Sequence, residues 1–222
     1  ARAARGLAGL ARIEPAARLT LDKNLPVASG IGGGSADAAA ALHVLMRLWD
    51  IAPERDALAA LALSLGADVP MCLHGETCFA GGIGERLDPA PKLPDYGLVL
   101  VNPGVALATS EVFRARTGGF SAPARFAEAP ADASELGELL AARRNDLEAP
   151  ALALAPVIGE VLAALRDLPG CRIARMSGSG ATCFALFDDT VRAAAAADKL
   201  NARHIDWWIQ QGRLVQPDAG IS

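Results

Sequence analysis

A glycine-rich run stands directly before a strong helical pattern near the start of the chain. Glycine occupies positions 30, 32, 33 and 34, and serine occupies positions 29 and 35. Glycines let backbone N–H groups crowd around an anion, and the N-terminus of the next helix adds its positive dipole end. The run therefore predicts a phosphate-binding loop that opens a helix, with an ordinary glycine-rich turn that caps a helix as the alternative.

The helix after this run has a well-defined apolar face. Its members follow the i, i+3, i+4, i+7 spacing of a buried helical stripe: Leu42, Leu45, Met46 and Trp49. Ser35 is the expected N-cap, because a serine hydroxyl can accept a backbone N–H bond there. Asp37 is expected in the first turn, where its charge suits the helix dipole.

Two common types of phosphate loop do not fit this run. A P-loop needs Gly-Lys-Ser/Thr, and no lysine follows these glycines. A dinucleotide fingerprint needs a third glycine where Ser35 stands, and an acid at the end of a second strand about 20 residues later. Asp50 has that distance, but it lies between two helical patterns. The run therefore indicates another kind of phosphate loop.

The composition favours a globular protein that acts on small molecules. The 222 residues are 52% hydrophobic, and no apolar run approaches the ~20 residues needed to span a membrane. The net charge is -4 without a basic block, so neither a nucleic-acid surface nor a membrane contact is indicated. We expect a small-molecule partner.

The cysteines and histidines do not form a metal-binding pattern. The cysteines lack C-x-x-C spacing and mostly have apolar neighbours, as buried reduced thiols of a cytoplasmic protein do: Cys72, Cys78, Cys171 and Cys183. The histidines are scattered along the chain: His43, His74 and His204. No metal ligand is therefore predicted.

The start of the chain has the pattern of a helix interior. Residue 1 is Ala rather than Met, and no cap residue precedes the stretch from Ala1 to Arg12. The long apolar core of a signal peptide is not seen near the start. We therefore expect that residues upstream of Ala1 are missing from this sequence.

Local patterns also predict the elements around the glycine run. Alternating leucines between Arg18 and Lys23 predict a strand that leads into the run, and Glu54 to Leu65 predicts a helix. Pro70 is expected to force the chain out of helix, so that Met71 to Leu73 begins a strand. Asp68 would then lie at a helix-to-strand junction, where an aspartate taken alone is usually a turn residue.

The second half of the sequence predicts a β-β-α-β unit. The expected elements are a strand at Leu98–Val101, helices at Ser134–Arg143 and Pro156–Leu168, strands at Cys171–Met176 and Thr182–Phe187, a helix at Val191–Ala202, and a last strand near Trp207–Gln210. Ser177 to Ala181 would join the middle two strands as a tight glycine loop. This order is typical of an α+β fold that resembles half of a split βαβ sandwich.

Six segments of the sequence together resemble the GHMP kinases. The family's second motif resembles Pro26 to Ala41, and its third motif resembles Met176 to Thr182. Four further segments match in order: Gly66 to Pro70, Gly82 to Glu85, Val101 to Val105, and Arg144 to Glu148. The resemblance implies an α+β, two-domain GHMP kinase fold. Residues 1–92 would be the remainder of the N-terminal ATP-binding domain, and residues 93–222 a C-terminal, ferredoxin-like α/β sandwich.

The resemblance implies ATP-dependent phosphoryl transfer to a small molecule. The expected acceptor is the 2-hydroxyl of the erythritol part of a cytidine diphosphate-linked methylerythritol, in isoprenoid precursor synthesis. Mg²⁺ would arrive with ATP, bridging phosphate oxygens, with Ser35 as the nearest residue that could touch it. Two alternatives remain: a GHMP kinase for another substrate, such as homoserine, mevalonate or a sugar, and a non-catalytic nucleotide-binding fragment.

The resemblance also assigns roles to individual residues. In the family the second-motif loop wraps the ATP phosphates, which here assigns nucleotide binding to Pro26, Val27, Ala28, Ser29, Gly30, Ile31, Gly32, Gly33, Gly34, Ser35 and Ala36. The family's catalytic aspartate corresponds to Asp68, which would accept the proton of the attacking hydroxyl. Thr109 and Phe113 would hold the cytidine end, unless they are only a helix cap and a core aromatic. Ser177 to Ala181 would pack beside the phosphate loop, or would be only a hairpin turn.

One motif of the family has no counterpart in this sequence. The first motif, Pro-Ala-Lys-hydrophobic-Asn, is absent together with its lysine and an upstream Gly-Tyr-His segment. Lys23 lies just before the ATP loop, at a position that the family does not use for this lysine. A cation that faces the transferred phosphoryl group is worth about 10³- to 10⁵-fold in rate in related reactions. We therefore expect this chain by itself to be a poor catalyst.

Overall fold

The computed structural model describes residues 1–26 and 30–215. The helices of these residues are α1 Arg2–Ala11, α2 Gly33–Leu48, α3 Arg55–Leu65, α4 Val69–His74, α5 Thr109–Ala115, α6 Ala133–Ala141, α7 Glu148–Leu154, α8 Val157–Arg166 and α9 Thr190–Asn201. The strands are β1 Cys78–Gly81, β2 Arg86–Pro89, β3 Gly97–Asn102, β4 Ile173–Met176, β5 Cys183–Phe187 and β6 Trp208–Arg213. None of the described helices is long and apolar enough to cross a membrane.

The described residues group into two compact units. The first unit contains Ala1–Asn24 and Gly32–Ala90, and the second contains Pro91–Val215 with the described part of Leu25–Ile31. The beginning of the glycine run thus belongs to the second unit, whereas the helix that the run opens belongs to the first. The domain division after residue 92 stays a prediction.

The first unit is built on four helices that share an apolar core. The predicted stripe on α2 is confirmed, because Leu42 and Leu45 are fully buried while Met46 and Trp49 pack at the margin of the core. Helix α3 ends before Gly66, as its sequence predicts. Periodic apolar spacing was therefore sufficient to locate both helices.

Two predicted strands of the first unit are wrong. Residues 18–23 form no strand, and the leucines at positions 19 and 21 are 44% and 62% exposed. No described strand pairs with this stretch, so it lacks the partner that a strand needs for its backbone groups. Residues 71–73 lie in α4 instead, because Pro70 occupies the first helical turn, where the missing N–H has no intrahelical partner to lose.

A short hairpin completes the first unit. Strands β1 and β2 pair antiparallel, from Cys78 opposite Pro89 to Gly81 opposite Arg86. In the connecting turn Gly84 has φ +104°, and a β-carbon there would overlap the carbonyl oxygen of Ala67. The hairpin turn is therefore packed directly against the chain segment before Asp68.

The second unit is a four-stranded antiparallel sheet with helices packed on it. The strand order is β4-β5-β3-β6, and the predicted hairpin of β4 and β5 is confirmed. Helix α8 packs against β4 and β5, and α9 packs against β3, β5 and β6. Side chains that alternate along the strands enter this core, including Val99, Val101, Ala185 and Phe187. The predicted α+β class is thus confirmed, although the short helix α7 was not expected.

Candidate active site

The N-terminus of α2 begins in the glycine run. Gly32 is the N-cap residue with φ +70°, and its carbonyl oxygen accepts the amides of Ser35 and Ala36, both at 2.9 Å. The predicted N-cap role of Ser35 is therefore wrong, because Gly33 and Gly34 already form the first turn. No side chain among the described residues caps this end. Its first amides can therefore be offered to an anion.

The rest of the predicted nucleotide loop is described in part. Val27, Ala28 and Ser29 lie outside the described residues. Pro26 is half-buried, as are Gly30 to Gly33 and Ser35, whereas Gly34 and Ala36 are exposed. Gly30 has φ +73°, and a β-carbon there would overlap the carbonyl oxygen of Gly180. Only glycine allows this close approach between the two loops.

The second glycine loop, residues 177–181, is hydrogen-bonded to the first glycine loop, which is the run that contains Gly30. Ser177 Oγ donates to the carbonyl oxygen of Gly30 at 3.0 Å. A β-carbon on Gly178 would approach the same oxygen to 3.0 Å. The expectation that residues 177 to 181 pack beside the glycine run is confirmed at Gly30.

Two asparagines hold the second glycine loop in place. Asn145 Nδ2 donates to the carbonyl oxygens of Met176 at 3.2 Å and Gly178 at 2.8 Å. At the end of the loop the buried Asn102 Nδ2 donates to Thr182 Oγ1 at 2.9 Å. Both asparagines lie in segments that resemble the family, and the sequence predicts no individual role for either. The signal that could have identified them is an amide side chain in a loop, which can cross-link backbone groups.

Asp68 stands immediately before α4, at its N-cap position. The residue is exposed, and its carboxylate makes no hydrogen bond or ion pair with any residue that the structure describes. The predicted helix-to-strand junction is wrong, since Asp68 instead links α3 to α4. Burial raises the pKa of the neighbouring Cys72 thiol, and the negative charge of Asp68 raises it further. The carboxylate is thus free to accept a proton from a ligand.

The turn that carries Asp68 lies next to the start of α2. A β-carbon built on Gly66 would lie 3.7 Å from Ser35 Oγ. Helices α2 and α4 pack against each other within the same unit, around Leu42 and Val69. The structure therefore brings the N-terminal turn of α2 and the segment before the candidate base together.

Asp37 has a structural partner in the same unit. It lies beyond the first turn of α2, so its predicted position is wrong. Lys23 Nζ donates to Asp37 Oδ2 at 2.7 Å, with about a third of each side chain exposed. This ion pair attaches the irregular segment before the glycine run to α2.

The candidate residues for the cytidine end lie on the second unit. Thr109 is the first residue of α5 and shares a 2.8 Å hydrogen bond with Ser179 of the second glycine loop. Its hydroxyl does not cap the helix. Phe113 is 49% exposed and therefore not a core aromatic. Thr109 is therefore not a helix cap, and Phe113 is not a core aromatic.

The described residues offer no all-protein metal cage. No group of three or more His, Cys, Asp or Glu side chains among residues 1–26 and 30–215 is arranged to hold a metal ion. A magnesium ion that binds through nucleotide phosphates needs few protein ligands. The donor set present is compatible with that mode of binding.

Comparison with known families identifies both halves of the chain. Residues 1–76 match the N terminal domain of GHMP kinases, and residues 126–206 match the GHMP kinases C terminal domain. The matched regions contain the first glycine loop, Asp68 and the second glycine loop.

Individual relatives are similar over nearly the whole chain. The chain is 55% identical to 4-diphosphocytidyl-2-C-methyl-D-erythritol kinase of Paramagnetospirillum magneticum, over 96% of this chain and 75% of that protein. It is 53% identical to the protein of the same name from Rhodospirillum rubrum, over 99% of this chain and 72% of that protein.

Solved structures agree with these sequence matches. A crystal structure of 4-(cytidine 5'-diphospho)-2C-methyl-D-erythritol kinase superimposes with a TM-score of 0.73 at 35% identity, covering 95% of this chain and 76% of the other. Homoserine kinase from Cytophaga hutchinsonii has a TM-score of 0.66 at 19% identity, over 87% and 68% of the two chains, which shows the fold alone. The chain belongs to the GHMP kinase family.

Proposed function

We propose that this protein transfers the γ-phosphoryl group of ATP to the 2-hydroxyl of 4-(cytidine 5'-diphospho)-2-C-methyl-D-erythritol. The relatives at 53% and 55% identity both carry the name of this kinase. A solved kinase of the same name is 35% identical. The activity would supply a phosphorylated intermediate of isoprenoid precursor synthesis in the cytoplasm.

The observation that carries the proposal is the position of Asp68. Its exposed carboxylate has no partner among the residues that the structure describes, and its turn packs beside Ser35 at the start of α2. A helix N-terminus that binds phosphates would thus lie in the same unit as a free proton acceptor. This pairing is what phosphoryl transfer to an alcohol requires.

In the proposed reaction Asp68 acts as the general base. The 2-hydroxyl oxygen attacks the γ-phosphorus, the bond between that phosphorus and the β,γ-bridging oxygen breaks, and ADP leaves. The proton of the hydroxyl passes to the Asp68 carboxylate. Such a positioned base contributes about 10²- to 10⁴-fold to the rate.

The glycine run would hold the nucleotide. The assigned residues are Pro26 to Ala36, among which the backbone N–H groups of Gly33 and Gly34, in the first turn of α2, would face the phosphate oxygens. Mg²⁺ bound to the phosphates would neutralise their negative charge, and Ser35 is the residue assigned to approach the ion. The chain's own part is to orient the phosphates with the amides at the start of α2.

Thr109 and Phe113 would hold the cytidine end of the acceptor. Phe113 is half-exposed, and cytosine would stack on its ring. The Thr109 hydroxyl is already oriented by Ser179, so it can present a fixed polar group. These two residues would give the kinase its preference for a cytidine-linked alcohol.

A substrate panel tests the proposal. The product of the complete reading frame and the 222-residue chain are each incubated with ATP, Mg²⁺ and one alcohol: the cytidine-linked methylerythritol, homoserine or mevalonate. For the product of the complete reading frame we expect ADP release and a 2-phosphate product with the first alcohol alone. The 222-residue chain, which lacks the first-motif lysine, should turn this alcohol over far more slowly. Turnover of homoserine or mevalonate in its place would contradict the assigned substrate, and ATP binding without any turnover would favour a non-catalytic nucleotide-binding protein.

A further inference from the structure

The side chain of Asn145 cross-links parts of the second unit that are distant in sequence. Its Nδ2 donates to the carbonyl oxygens of Met176 and Gly178, while its Oδ1 accepts the amide of Leu147 at 2.9 Å. The amide group thus uses both of its ends. One end fixes the local turn before α7, and the other fixes the second glycine loop.

Besides Asn145, two side chains outside the loop hold it: Thr109 shares a hydrogen bond with Ser179, and Asn102 donates to Thr182. Inside the loop the amide of Ser177 donates to Thr182 O at 2.9 Å, and the amide of Gly180 donates to Ser177 O at 2.8 Å. Gly178 and Gly180 have φ of +52° and +84°. Because glycine can adopt many backbone conformations, the loop would be able to adopt others if no side chain tethered it. The two hydrogen bonds from Asn145 Nδ2 hold the carbonyl groups of Met176 and Gly178. These residues lie on either side of Ser177, so the bonds restrain Ser177 as well.

Ser177 passes this restraint on to the first glycine loop. Its Oγ donates to Gly30 O at 3.0 Å, and the backbone of Gly180 lies in contact with Gly30. A shift of the second loop would therefore remove a hydrogen bond from the first. All of these residues belong to the same compact unit.

We propose that Asn145 is a positioning residue for nucleotide binding, which acts on the first glycine loop through Ser177. This inference rests on the proposed role of Gly30 in the ATP loop. It assigns to Asn145, in the turn before α7, the task of setting the affinity for the phosphates of ATP, not that of binding the acceptor alcohol.

The sharpest variant is Asn145→Asp. It keeps the oxygen that accepts the Leu147 amide but replaces the Nδ2 donor by a carboxylate oxygen, which faces two carbonyl oxygens. The matched control is Arg144→Ala, because Arg144 is the adjacent residue, pairs with Asp146 at 2.9 Å and is not bonded to the loop. Ser177→Ala removes the hydroxyl that donates to Gly30 O, which is the next contact after those of Asn145.

We expect Asn145→Asp to raise the KM for ATP by about tenfold, as the loss of two hydrogen bonds implies. The KM for the acceptor should stay within about twofold, and Arg144→Ala should leave both constants unchanged. Ser177→Ala should raise the KM for ATP as well. In the double variant the KM for ATP should rise by a smaller factor than the product of the two single-variant factors. An unchanged KM for ATP in Asn145→Asp, an equal change in Arg144→Ala, or fully multiplicative effects would overturn the inference.

Two further measurements separate this inference from the proposed function. If the protein does not phosphorylate the cytidine-linked alcohol, the affinities of the same variants for ATP are compared directly, by titration with a fluorescent ATP analogue. If the wild-type protein binds no ATP, the proposed function fails, and amide hydrogen exchange then tests the loop. Exchange at Ser177 and Gly180 should be at least about tenfold faster in Asn145→Asp than in Arg144→Ala. Equal exchange would overturn the positioning role.

Discussion

Side-chain exposure decides whether the aromatic residue on α5, Phe113, belongs to the core. From the sequence, Phe113 could be a core residue or an exposed one, because the spacing of one aromatic residue does not reveal what covers it. In the structure the ring is 49% exposed. Exposure depends on the packing of the whole unit, so it could not be predicted from the local pattern.

Replacing Phe113 with leucine should affect acceptor binding and little else. Loss of base stacking, worth about 1–3 kcal/mol, should raise the KM for the cytidine-linked alcohol by roughly 5- to 150-fold with the KM for ATP unchanged. The matched control is Phe120→Leu, whose ring is 66% exposed and faces the guanidinium of Arg116. Steady-state kinetics with both substrates varied would reveal the difference. Equal effects of the two variants would refute the stacking role.

The thiol of Cys72 can report on the charge of Asp68. Burial and the nearby carboxylate both raise the pKa of this thiol, so Asp68→Asn should lower it and increase the thiolate fraction at a given pH. We expect faster alkylation of Cys72 by iodoacetamide at pH 8 in that variant, measured by peptide mass spectrometry. Cys78 is the internal control, because burial alone raises its pKa. An alkylation rate of Cys72 that does not change relative to Cys78 would contradict the effect of the Asp68 side chain on this thiol.

At the level of elements, periodicity predicted the long helices and failed where short segments depend on their surroundings. The stripe on α2 and the Gly66 terminus of α3 were visible in the sequence because each uses local spacing. The sequence predicts a strand at residues 71–73, where the structure has part of helix α4, because Pro70 lies in the first helical turn and does not end a helix there. The stretch from 18 to 23 alternates like a strand, yet strand formation also needs a partner.

The β1–β2 hairpin should support the turn that carries Asp68. A β-carbon at Gly84 would overlap the carbonyl oxygen of Ala67, so Gly84→Ala must displace the backbone beside Asp68. We expect kcat to fall by at least tenfold with a smaller change in the KM for ATP. The control is Gly75→Ala, because Gly75 also has positive φ, at +74°, but open space around it. This control isolates the strain of a left-handed residue, about 1–2 kcal/mol. Equal kinetic losses in both variants would show that the hairpin contact does not matter.

At the scale of the whole molecule, the family motifs revealed more than the local patterns did. The order of two glycine loops and the Gly66–Pro70 segment implied a GHMP kinase, and the matches to residues 1–76 and 126–206 show that family. The tethers between segments could not be read from the sequence. Asn145 and Met176, for example, are 31 residues apart, and their hydrogen bond depends on how the β4–β5 hairpin meets the turn before α7.

The central claim is that an ATP-dependent kinase uses Asp68 as its base, and Asp68→Asn tests it most directly. Phosphoryl transfer to the cytidine-linked alcohol and ATP affinity are measured for the wild type, for Asp68→Asn and for Asp56→Asn, an exposed carboxylate of α3 in the same unit. We predict a fall in transfer rate of about 10²- to 10⁴-fold for Asp68→Asn alone, with ATP affinity within about twofold of the wild type. Near-normal transfer by Asp68→Asn, or an equal loss in Asp56→Asn, would contradict the account.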